Sequence, residues 1–415
     1  MSFKEDIVSY IRSGETDHTN LGLEIEHFVV DENGDQIGFE EITDLIETVS
    51  DKLNAKTNYS DGYPVGYTTD EYAITLEPSC QFEISINPYK DLEKIEYIYN
   101  EFIKVWEPLF KERGYKIVTN GNLPKVEQGL TTPDDITLTP KIRYKYMDEY
   151  LSKSGKYSRY MMRASASTQL SIDYKSEKDL AKKLRVLEKI SPILMIIAES
   201  KEVKDFTLSG NEGQTHLLRI QEWDDLDPAR TGFLKGSLDE GFGYEDIADI
   251  NYNMPLILLT KDGDSEYVKD DSAKDLIEKG VITESDLQDK TKSLIEHVFS
   301  MGFFHYRVKT YIELRVADSM PIDKALGFTA LLKGLIYDKS NLDYLDENLS
   351  NIKSLDEIQS AIDEIKVDGF DAKIYDGKTA YEWADELVKL ADNGLEGKDK
   401  EYLKNVRAFW SDIKS

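Results

Sequence analysis

Four stretches of this sequence alternate between apolar and polar side chains, and this period-two pattern limits the fold more than any other feature. They span residues 21–30, 73–86, 161–174 and 306–316. Side chains i and i+2 of a strand point to the same face, so each stretch predicts a strand with one apolar and one polar face.

Segments with helical spacing lie between and after these strands. Residues 91–113 and 178–200 repeat apolar side chains every three or four positions, and Pro192 predicts a kink in the second. The chain from Asp323 onward reads as mostly helical. Together these patterns predict an α+β fold, in which a largely antiparallel sheet has polar side chains on one face and helices packed on the other.

The length of 415 residues is enough for two or three domains. No linker rich in Pro, Ser or Gly interrupts the chain, however. We therefore predict a single catalytic domain over residues 1–415, with the informative motifs in 20–340 and a mostly helical part in 341–415.

The charge balance argues against several classes of partner. Lys and Arg number 51 against 80 Asp and Glu, a net charge of −29, which repels nucleic acids and anionic lipids. The longest nearly pure apolar stretch, around residues 193–198, is too short to cross a bilayer, and the N-terminus lacks an apolar signal core. Cys80 is the only cysteine, so an intrachain disulfide is excluded. We expect a soluble cytoplasmic monomer or homodimer that acts on small molecules.

Several common catalytic motifs are missing. The sequence has no GxxxxGK[ST] loop, no HExxH and no GxSxG, and the glycines at 241 and 243 lack the third glycine of a dinucleotide fingerprint. A zinc hydrolase and a Rossmann enzyme are therefore poor interpretations.

Carboxylates collect on the polar faces of three of the stretches. Glu24 and Glu26 share a face of the first, where two buried like charges would be costly without a cation between or beside them. Taken alone, this pattern also fits a half-exposed strand with two solvated glutamates. The second stretch adds Glu77 and Glu83, and the third adds Gln169. Three strands with oxygen-rich faces predict a sheet that collects hard ligands suited to Mg²⁺.

The fourth stretch contributes positive charge. Arg307, Lys309, Glu313 and Arg315 fall on one face if residues 306–316 form one strand, and no acidic residue adjoins the first two. Cations at i and i+2 repel each other unless an anion bridges them, as a polyphosphate would. The alternative is a surface ladder of salt bridges. Carboxylates, Mg²⁺ and a cationic strand without a P-loop favour ATP-dependent phosphoryl transfer to a carboxylate, followed by amide ligation.

These stretches also resemble the glutamate–cysteine ligases, most closely their plant-type and proteobacterial branch. Residues 22–26 resemble the GxExE strand of that family, 75–83 its TLEPGGQFE, and 161–173 its MxRT-x-TVQVNLD. Residues 219–232 resemble R-x3-W-x-D-x-D-x2-RTG, and 309–318 resemble KTYLEMRGAD. Weaker similarity appears at 140–147 and 241–244.

The resemblance implies a glutamine-synthetase-like half-barrel whose helices pack on the outer face. It implies an enzyme that joins the γ-carboxylate of glutamate to the amine of cysteine through a γ-glutamyl phosphate, using ATP and Mg²⁺, in the first step of glutathione biosynthesis. By motif position, the metal ligands would be Glu24, Glu26, Glu77, Glu83 and Glu313. Gln169, Arg307, Lys309 and Arg315 would bind ATP; Arg219, Arg163, Trp223 and Arg230 would bind substrate; and Lys309, Arg315 and Arg219 would be catalytic, Arg219 at the glutamate α-carboxylate.

This sequence departs from the family pattern at small residues. The double glycine after the proline is replaced by Ser79 and Cys80. The metal-side residues are retained, so the departures leave the acceptor amine open more than the reaction. The alternatives are a related ligase with another amine and an inactive relative that binds nucleotide or amino acid.

Overall fold

A nine-stranded antiparallel sheet forms the centre of the computed structural model, which describes residues 2–201, 213–261 and 263–411. The strands are β1 (Leu21–Val30), β2 (Lys56–Ser60), β3 (Tyr63–Thr68), β4 (Tyr72–Leu76), β5 (Phe82–Tyr89), β6 (Lys116–Val118), β7 (Ser167–Ile172), β8 (Thr231–Gly232), β9 (Leu258–Lys261), β10 (Asp264–Tyr267), β11 (Phe303–Phe304), β12 (Tyr306–Val308) and β13 (Ile312–Asp318).

The sheet runs in the order β12-β13-β7-β1-β5-β4-β3-β2, and β6 pairs with β1 beside this row. Strands β9 and β10 form a separate hairpin, and β8 and β11 a short parallel pair. This confirms the α+β fold with a mostly antiparallel sheet.

Helices account for most of the remaining chain. They are α1 (Phe3–Arg12), α2 (Phe39–Leu53), α3 (Leu92–Glu112), α4 (Pro124–Glu127), α5 (Ile142–Ser154), α6 (Ser158–Ala164), α7 (Glu177–Ala198), α8 (Leu218–Asp224), α9 (Tyr244–Asn253), α10 (Ala273–Glu278), α11 (Glu284–Asp289), α12 (Thr291–Ser300), α13 (Ile322–Ile336), α14 (Lys339–Asn348), α15 (Leu355–Asp368), α16 (Ala380–Asn393) and α17 (Asp399–Ser411), with 3-10 turns at Pro133–Asp135, Gly369–Asp371 and Tyr375–Gly377. None of the described helices is long and apolar enough to cross a membrane.

Strand register gives the sheet one apolar and one polar face. Leu170 pairs with Leu23 on one side and Leu314 on the other, and this apolar row belongs to the main buried cluster. Helix α7 lies against β13, α3 against β5 and α13 against β1. The opposite face is polar because the register places Glu24 between Ser85 and Gln169.

Two of the four predicted strands are hairpins, which corrects the sequence interpretation. Within 73–86, the chain turns at Glu77, whose carbonyl accepts a 3.1 Å hydrogen bond from the amide of Cys80. Within 306–316, it turns at Lys309, whose amide donates to the carbonyl of Tyr311 at 2.8 Å. Arg307 therefore faces Glu313 across a hairpin rather than along one strand. The alternation runs through both turns, so it did not reveal them.

The helical segments were predicted more closely. Residues 91–113 and 178–200 correspond to α3 and α7, and Pro192 lies inside α7. The start of the third stretch was wrong, because residues up to Ala164 form α6 before β7 begins. In the C-terminal part, helical spacing at residues 325–337, 355–365, 380–390 and 400–410 predicts four helices, which correspond to α13, α15, α16 and α17. Helix α14 was not predicted, because it is rich in polar residues and buries only Asn341, Leu342 and Leu345.

Candidate active site

A cleft of about 330 Å³ opens on the polar face of the sheet. Strands β1, β5, β7 and β13 line it, together with both hairpin turns, so the predicted carboxylates and cations meet in one place. The lining residues are Glu24, Glu26, Glu77, Pro78, Glu83, Arg143, Tyr144, Met147, Gln169, Ser300, Phe303, Arg307, Lys309, Glu313 and Arg315.

Hydrogen bonds orient two of the cleft carboxylates. Glu26 accepts from the amide of Ser167 at 2.6 Å and from the side chain of Gln169 at 3.2 Å. Glu83 accepts at one oxygen from the hydroxyls of Thr75, at 2.7 Å, and Ser85, at 3.0 Å. Protein groups therefore orient both side chains.

Nearby cations do not fully neutralise the carboxylates on β1 and β5, so their pKa values are raised. Burial and the Glu313 charge raise the pKa of Glu24 to about 6, and burial and Glu77 raise that of Glu26 to about 7. Burial and three neighbouring carboxylates raise the pKa of Glu83 well above its ordinary value. A bound cation would relieve the repulsion behind these shifts.

Glu313 lies in the opposite environment. Burial alone would raise its pKa, but Arg307, Lys309 and Arg315 outweigh that effect and lower it. Their nitrogens lie 2.5, 3.0 and 3.3 Å from its oxygens. The sequence interpretation placed Glu313 on the same face but did not pair it with Arg307 and Lys309, because the hairpin brings them together. Three cations cluster around this one carboxylate, so this end of the cleft is more positive than the end at β1 and β5, which suits an anionic ligand.

A second cavity of about 90 Å³ adjoins the cleft. The two share six lining residues: Glu26, Glu77, Pro78, Met147, Phe303 and Arg315. The remaining wall of the second cavity is partly apolar and consists of Gln81, Met161, Met162, Ser165, Ser167, Arg219 and Trp223.

Arg219 and Trp223, both on α8, give this second cavity unused hydrogen-bond donors. Arg219 is only 2% exposed, and its one hydrogen bond among the described residues runs from Nη1 to the carbonyl of Arg315 at 3.2 Å. Its Nε, the Nε of Arg315 and the indole nitrogen of Trp223 are buried without a partner in the described structure. Because such donors are costly to leave unpaired, we infer that the cavity accepts a carboxylate.

Two predicted substrate ligands lie away from both cavities. Arg163 binds Asp148, at 2.7 and 2.6 Å, and the carbonyls of Pro133 and Ile136. Arg230 is fully buried and donates to Asp227, Tyr150 and the carbonyl of Pro255. Protein groups already satisfy these guanidinium groups, so we correct the assignment and leave both out of the site.

Some residues of the site were not among the sequence candidates. Arg143, Tyr144 and Met147 come from α5, and Phe303 comes from β11. The weak similarity at residues 140–147 was the only available signal for the first three. Phe303 stands in a short apolar run, and nothing in the sequence marks it.

The carboxylates line the cleft but are not close enough together to form a preformed metal site. In the ranges that the structure describes, no three His, Cys, Asp or Glu side chains are grouped so that they could hold a metal ion. The donor chemistry nevertheless fits a hard cation, since the five glutamates supply only oxygen atoms. The raised pKa values of Glu24, Glu26 and Glu83 support the same fit.

A carboxylate-lined antiparallel sheet beside an arginine pocket is a suitable framework for a carboxylate–amine ligase. The chain belongs to glutamate-cysteine ligase family 2 (GCS2), whose model matches residues 20–401. This confirms the family that the sequence motifs resemble.

Named relatives cover nearly the whole chain. The chloroplastic glutamate–cysteine ligase B of Oryza sativa subsp. japonica is 26% identical over 98% of this chain and 81% of its own length. The chloroplastic enzyme of Medicago truncatula is 26% identical over 95% and 76%. Among solved structures, the glutamate–cysteine ligase from Francisella tularensis in complex with AMP aligns over 97% of this chain and 83% of its own, with 15% identity and a TM-score of 0.48.

Proposed function

We propose that this protein joins the γ-carboxylate of glutamate to the amine of cysteine, with conversion of ATP to ADP and phosphate. The observation that carries this proposal is the pair of adjoining cavities. One is lined by five glutamates and four basic side chains, and the other holds unpartnered donors around Arg219. Together the two cavities can hold a nucleoside triphosphate beside an amino acid.

Glutamate fits the smaller cavity with its α-carboxylate at Arg219 and Trp223. The apolar wall at Met161 and Met162 suits the two methylenes of the substrate. The γ-carboxylate then reaches the wall that the two cavities share, at Glu26, Glu77 and Arg315. This arrangement holds the γ-carboxylate, which is the nucleophile, next to the cleft that would hold the γ-phosphoryl group of ATP.

The ATP phosphates fit the larger cleft beside the cations of the β12–β13 hairpin. Arg307, Lys309 and Arg315 supply more positive charge than Glu313 neutralises, and Gln169 accepts a hydrogen bond from Arg315. We assign Glu24, Glu26, Glu77, Glu83 and Glu313 to Mg²⁺. When bound, Mg²⁺ supplies charge neutralisation at the phosphates and helps to align them.

The chemistry then has two steps. An oxygen of the γ-carboxylate attacks the γ-phosphorus of ATP, ADP leaves, and γ-glutamyl phosphate forms. The amine nitrogen attacks the acyl carbon, the C–N bond forms, the C–O bond to phosphate breaks, and phosphate carries away the ammonium proton. Lys309 and Arg315 stabilise the charge on the transferring group.

The Ser79–Cys80 departure bears on the choice of amine. Cys80 has a φ of 63°, in the left-handed region that glycine favours, so the turn keeps a glycine-like path. The two side chains are buried, and Pro78 lines both cavities. Cysteine therefore remains the first choice, with a different amine as the alternative. A cytoplasmic location and a monomeric or homodimeric state belong to this proposal.

ADP release tests the function directly. Purified protein is supplied with ATP, Mg²⁺ and glutamate, and single amines are added in turn. Turnover that depends on cysteine supports the proposal, and turnover only with another amine supports the alternative. If no amine produces ADP although nucleotide binds, the chain is an inactive relative and the proposal is wrong.

A further inference from the structure

Helix α8 carries two of the side chains that give the second cavity its unpartnered donors, Arg219 and Trp223. It has only seven residues, and no side chain caps its N-terminus, which starts from Leu217 in the left-handed region at a φ of 57°. A helix of two turns is unstable alone in water. The direction in which Arg219 and Trp223 point therefore depends on the groups that hold α8 in place.

The start of α8 is held by the end of α7. The carboxylate of Glu199, the residue after α7, accepts from the amide of Leu217 at 2.6 Å and from Nδ1 of His216 at 2.9 Å. The amide of His216 donates to the carbonyl of Lys366, in α15, at 3.1 Å. A helix of the C-terminal part therefore contacts the chain just before α8 begins.

The end of α8 is held by the side chain of the same lysine. Asp224, the last residue of α8, accepts from Nζ of Lys366 at 2.5 Å and from the side-chain amide of Gln359 at 3.1 Å. Gln359 and Lys366 lie two turns apart in α15, so they project from one face of that helix. The Lys366 side chain is only 7% exposed, so salt screens this ion pair less than a pair on the surface. Lys366 thus holds both ends of α8, the start through its carbonyl and the end through its ammonium group.

A small rotation of α8 would redirect the donors of the second cavity. The guanidinium of Arg219 lies 5.1 Å from the centre of the Trp223 ring, and that of Arg315 lies 5.6 Å from the same centre. The cavity measures about 90 Å³, so it leaves a ligand little room to follow a displaced arginine. No described residue after Arg315 lines this cavity or the cleft. The contribution of the C-terminal part to the cavity is therefore indirect, through α8.

Resting on the proposed function, which places the glutamate α-carboxylate at Arg219, we propose that Lys366 is a positioning residue for glutamate binding. By holding both ends of α8, it keeps the guanidinium of Arg219 and the indole of Trp223 directed into the second cavity. The C-terminal part thereby contributes to the affinity for glutamate, although none of its described residues lines the cavity.

The first test compares the KM values for glutamate and ATP in ADP release. Lys366→Met removes the ammonium group and keeps a side chain of similar length. We expect the KM for glutamate to rise roughly ten-fold or more, because a displacement of about 1 Å in a binding group is enough for a large loss. The KM for ATP should change less than about two-fold, since Glu313 rather than α8 holds the cations of the β12–β13 hairpin. Lys353→Met, at an exposed position just before α15, is the matched control and should leave both KM values unchanged.

The second test reports the position of α8 without turnover. In protein labelled with 5-fluorotryptophan, we expect Lys366→Met to shift the fluorine resonance of Trp223 and to leave that of Trp106, in α3, in place. Lys366→Arg keeps a positive charge at Asp224, so it should restore most of the affinity for glutamate and the Trp223 resonance of the unaltered protein. A lysine that merely stabilised the fold would lower the unfolding midpoint without separating the two KM values.

Asp224→Asn weakens the same contact from the other side and leaves Lys366 paired with Asp363, at 2.8 Å. It should raise the KM for glutamate several-fold. The double variant with Lys366→Met should raise this KM no more than Lys366→Met alone, because both changes remove one interaction. If Lys366→Met does not fold, as judged by circular dichroism, Asp224→Asn carries both tests.

The inference and the proposed function fail in different ways. If the KM for glutamate stays unchanged in the variants that fold, or rises only together with the KM for ATP, Lys366 does not position the glutamate site, although the ligase function stands. If the unaltered protein forms no ADP from ATP and glutamate with any amine, the proposed function is wrong, and the inference is wrong with it.

Discussion

Glu24 and Glu313 lie on the same polar face but in opposite electrostatic environments. Glu24 gains proton affinity from burial and from the Glu313 charge, whereas three cations lower the pKa of Glu313. The sequence identified both glutamates as site candidates. It did not reveal this difference, because Arg307 and Lys309 reach Glu313 only through the β12–β13 hairpin, while Arg315 lies on the same strand.

We expect Glu24→Gln to abolish ADP formation while the protein stays folded. The amide cannot supply the negative charge that a divalent cation requires, yet it has nearly the same volume as the carboxylate. Activity is measured as ADP release, and folding by circular dichroism and the unfolding midpoint. Glu32→Gln, at an exposed position just after β1, is the matched control. Near-normal turnover of Glu24→Gln would contradict the metal role.

A second prediction concerns a buried glutamate on the helical side. Glu188, in α7, accepts hydrogen bonds from the hydroxyl of Ser237 and the amide of Leu234, and burial raises its pKa from 4.5 to about 8. At pH values between 4.5 and about 8, the Glu188 carboxyl loses its proton in the unfolded chain but keeps it in the folded chain. The contribution of Glu188 to stability is therefore complete below about pH 4.5 and is lost as pH rises toward 8.

Replacing this carboxyl should flatten the pH dependence of stability. In the unaltered protein, Glu188 should lower the free energy of unfolding by up to about 1.4 kcal/mol per pH unit between pH 5 and 8. We expect this contribution to be absent in Glu188→Gln. Urea unfolding of both proteins at several pH values measures the difference. Glu112→Gln, at an exposed position, should keep the original slope. Parallel curves for Glu188→Gln and the unaltered protein would show that Glu188 is ionised at neutral pH.

At the scale of elements, alternation predicted which side chains share the polar face but not where the chain turns. It placed Glu24, Glu26, Glu83 and Gln169 correctly, because these lie within single strands. It could not mark the turns at 77–81 and 309–311, whose polar residues continue the pattern. The pattern also could not show that protein groups bind Arg163 whereas Arg219 lines a cavity. The partners of Arg163 come from distant segments of the chain.

The β12–β13 turn is in close contact with Gly14, which lies two residues after the end of α1. A Cβ atom added to Gly14 would lie 2.2 Å from the carbonyl oxygen of Thr310, so one of the two backbones would have to move. We expect Gly14→Ala to displace the turn and with it Lys309, raising the KM for ATP several-fold and lowering the unfolding midpoint.

Steady-state kinetics with ATP and with glutamate checks this expectation. The KM for glutamate should change less, because Arg219 lies on α8, away from the turn. Gly62→Ala is a control for the loss of a glycine, since nothing lies within 4 Å of an added Cβ there, although its φ of +84° adds local strain. An unchanged KM for ATP in Gly14→Ala would show that the turn tolerates the shift.

At the scale of the whole molecule, one buried apolar cluster extends from Phe3 to Val406. Helix α13 links its two ends, since it packs against β1 of the sheet and against α16 and α17 of the C-terminal part. Nearly every side chain of α13 is buried. Loss of the C-terminal helices would expose this surface to water, so the sheet and the helical part should unfold together.

Tryptophan residues placed in different parts of the chain provide a test of the predicted single domain. Trp106 lies in α3, Trp223 in α8 beside the active site, and Trp383 in α16. In protein labelled with 5-fluorotryptophan, all four tryptophans, including Trp410, carry fluorine. We expect the native fluorine signals of Trp106, Trp223 and Trp383 to disappear at the same urea concentration. Single Trp→Phe variants assign the signals. Loss of the Trp383 signal at a clearly lower urea concentration than the other two would show that the C-terminal helices form a separate unit.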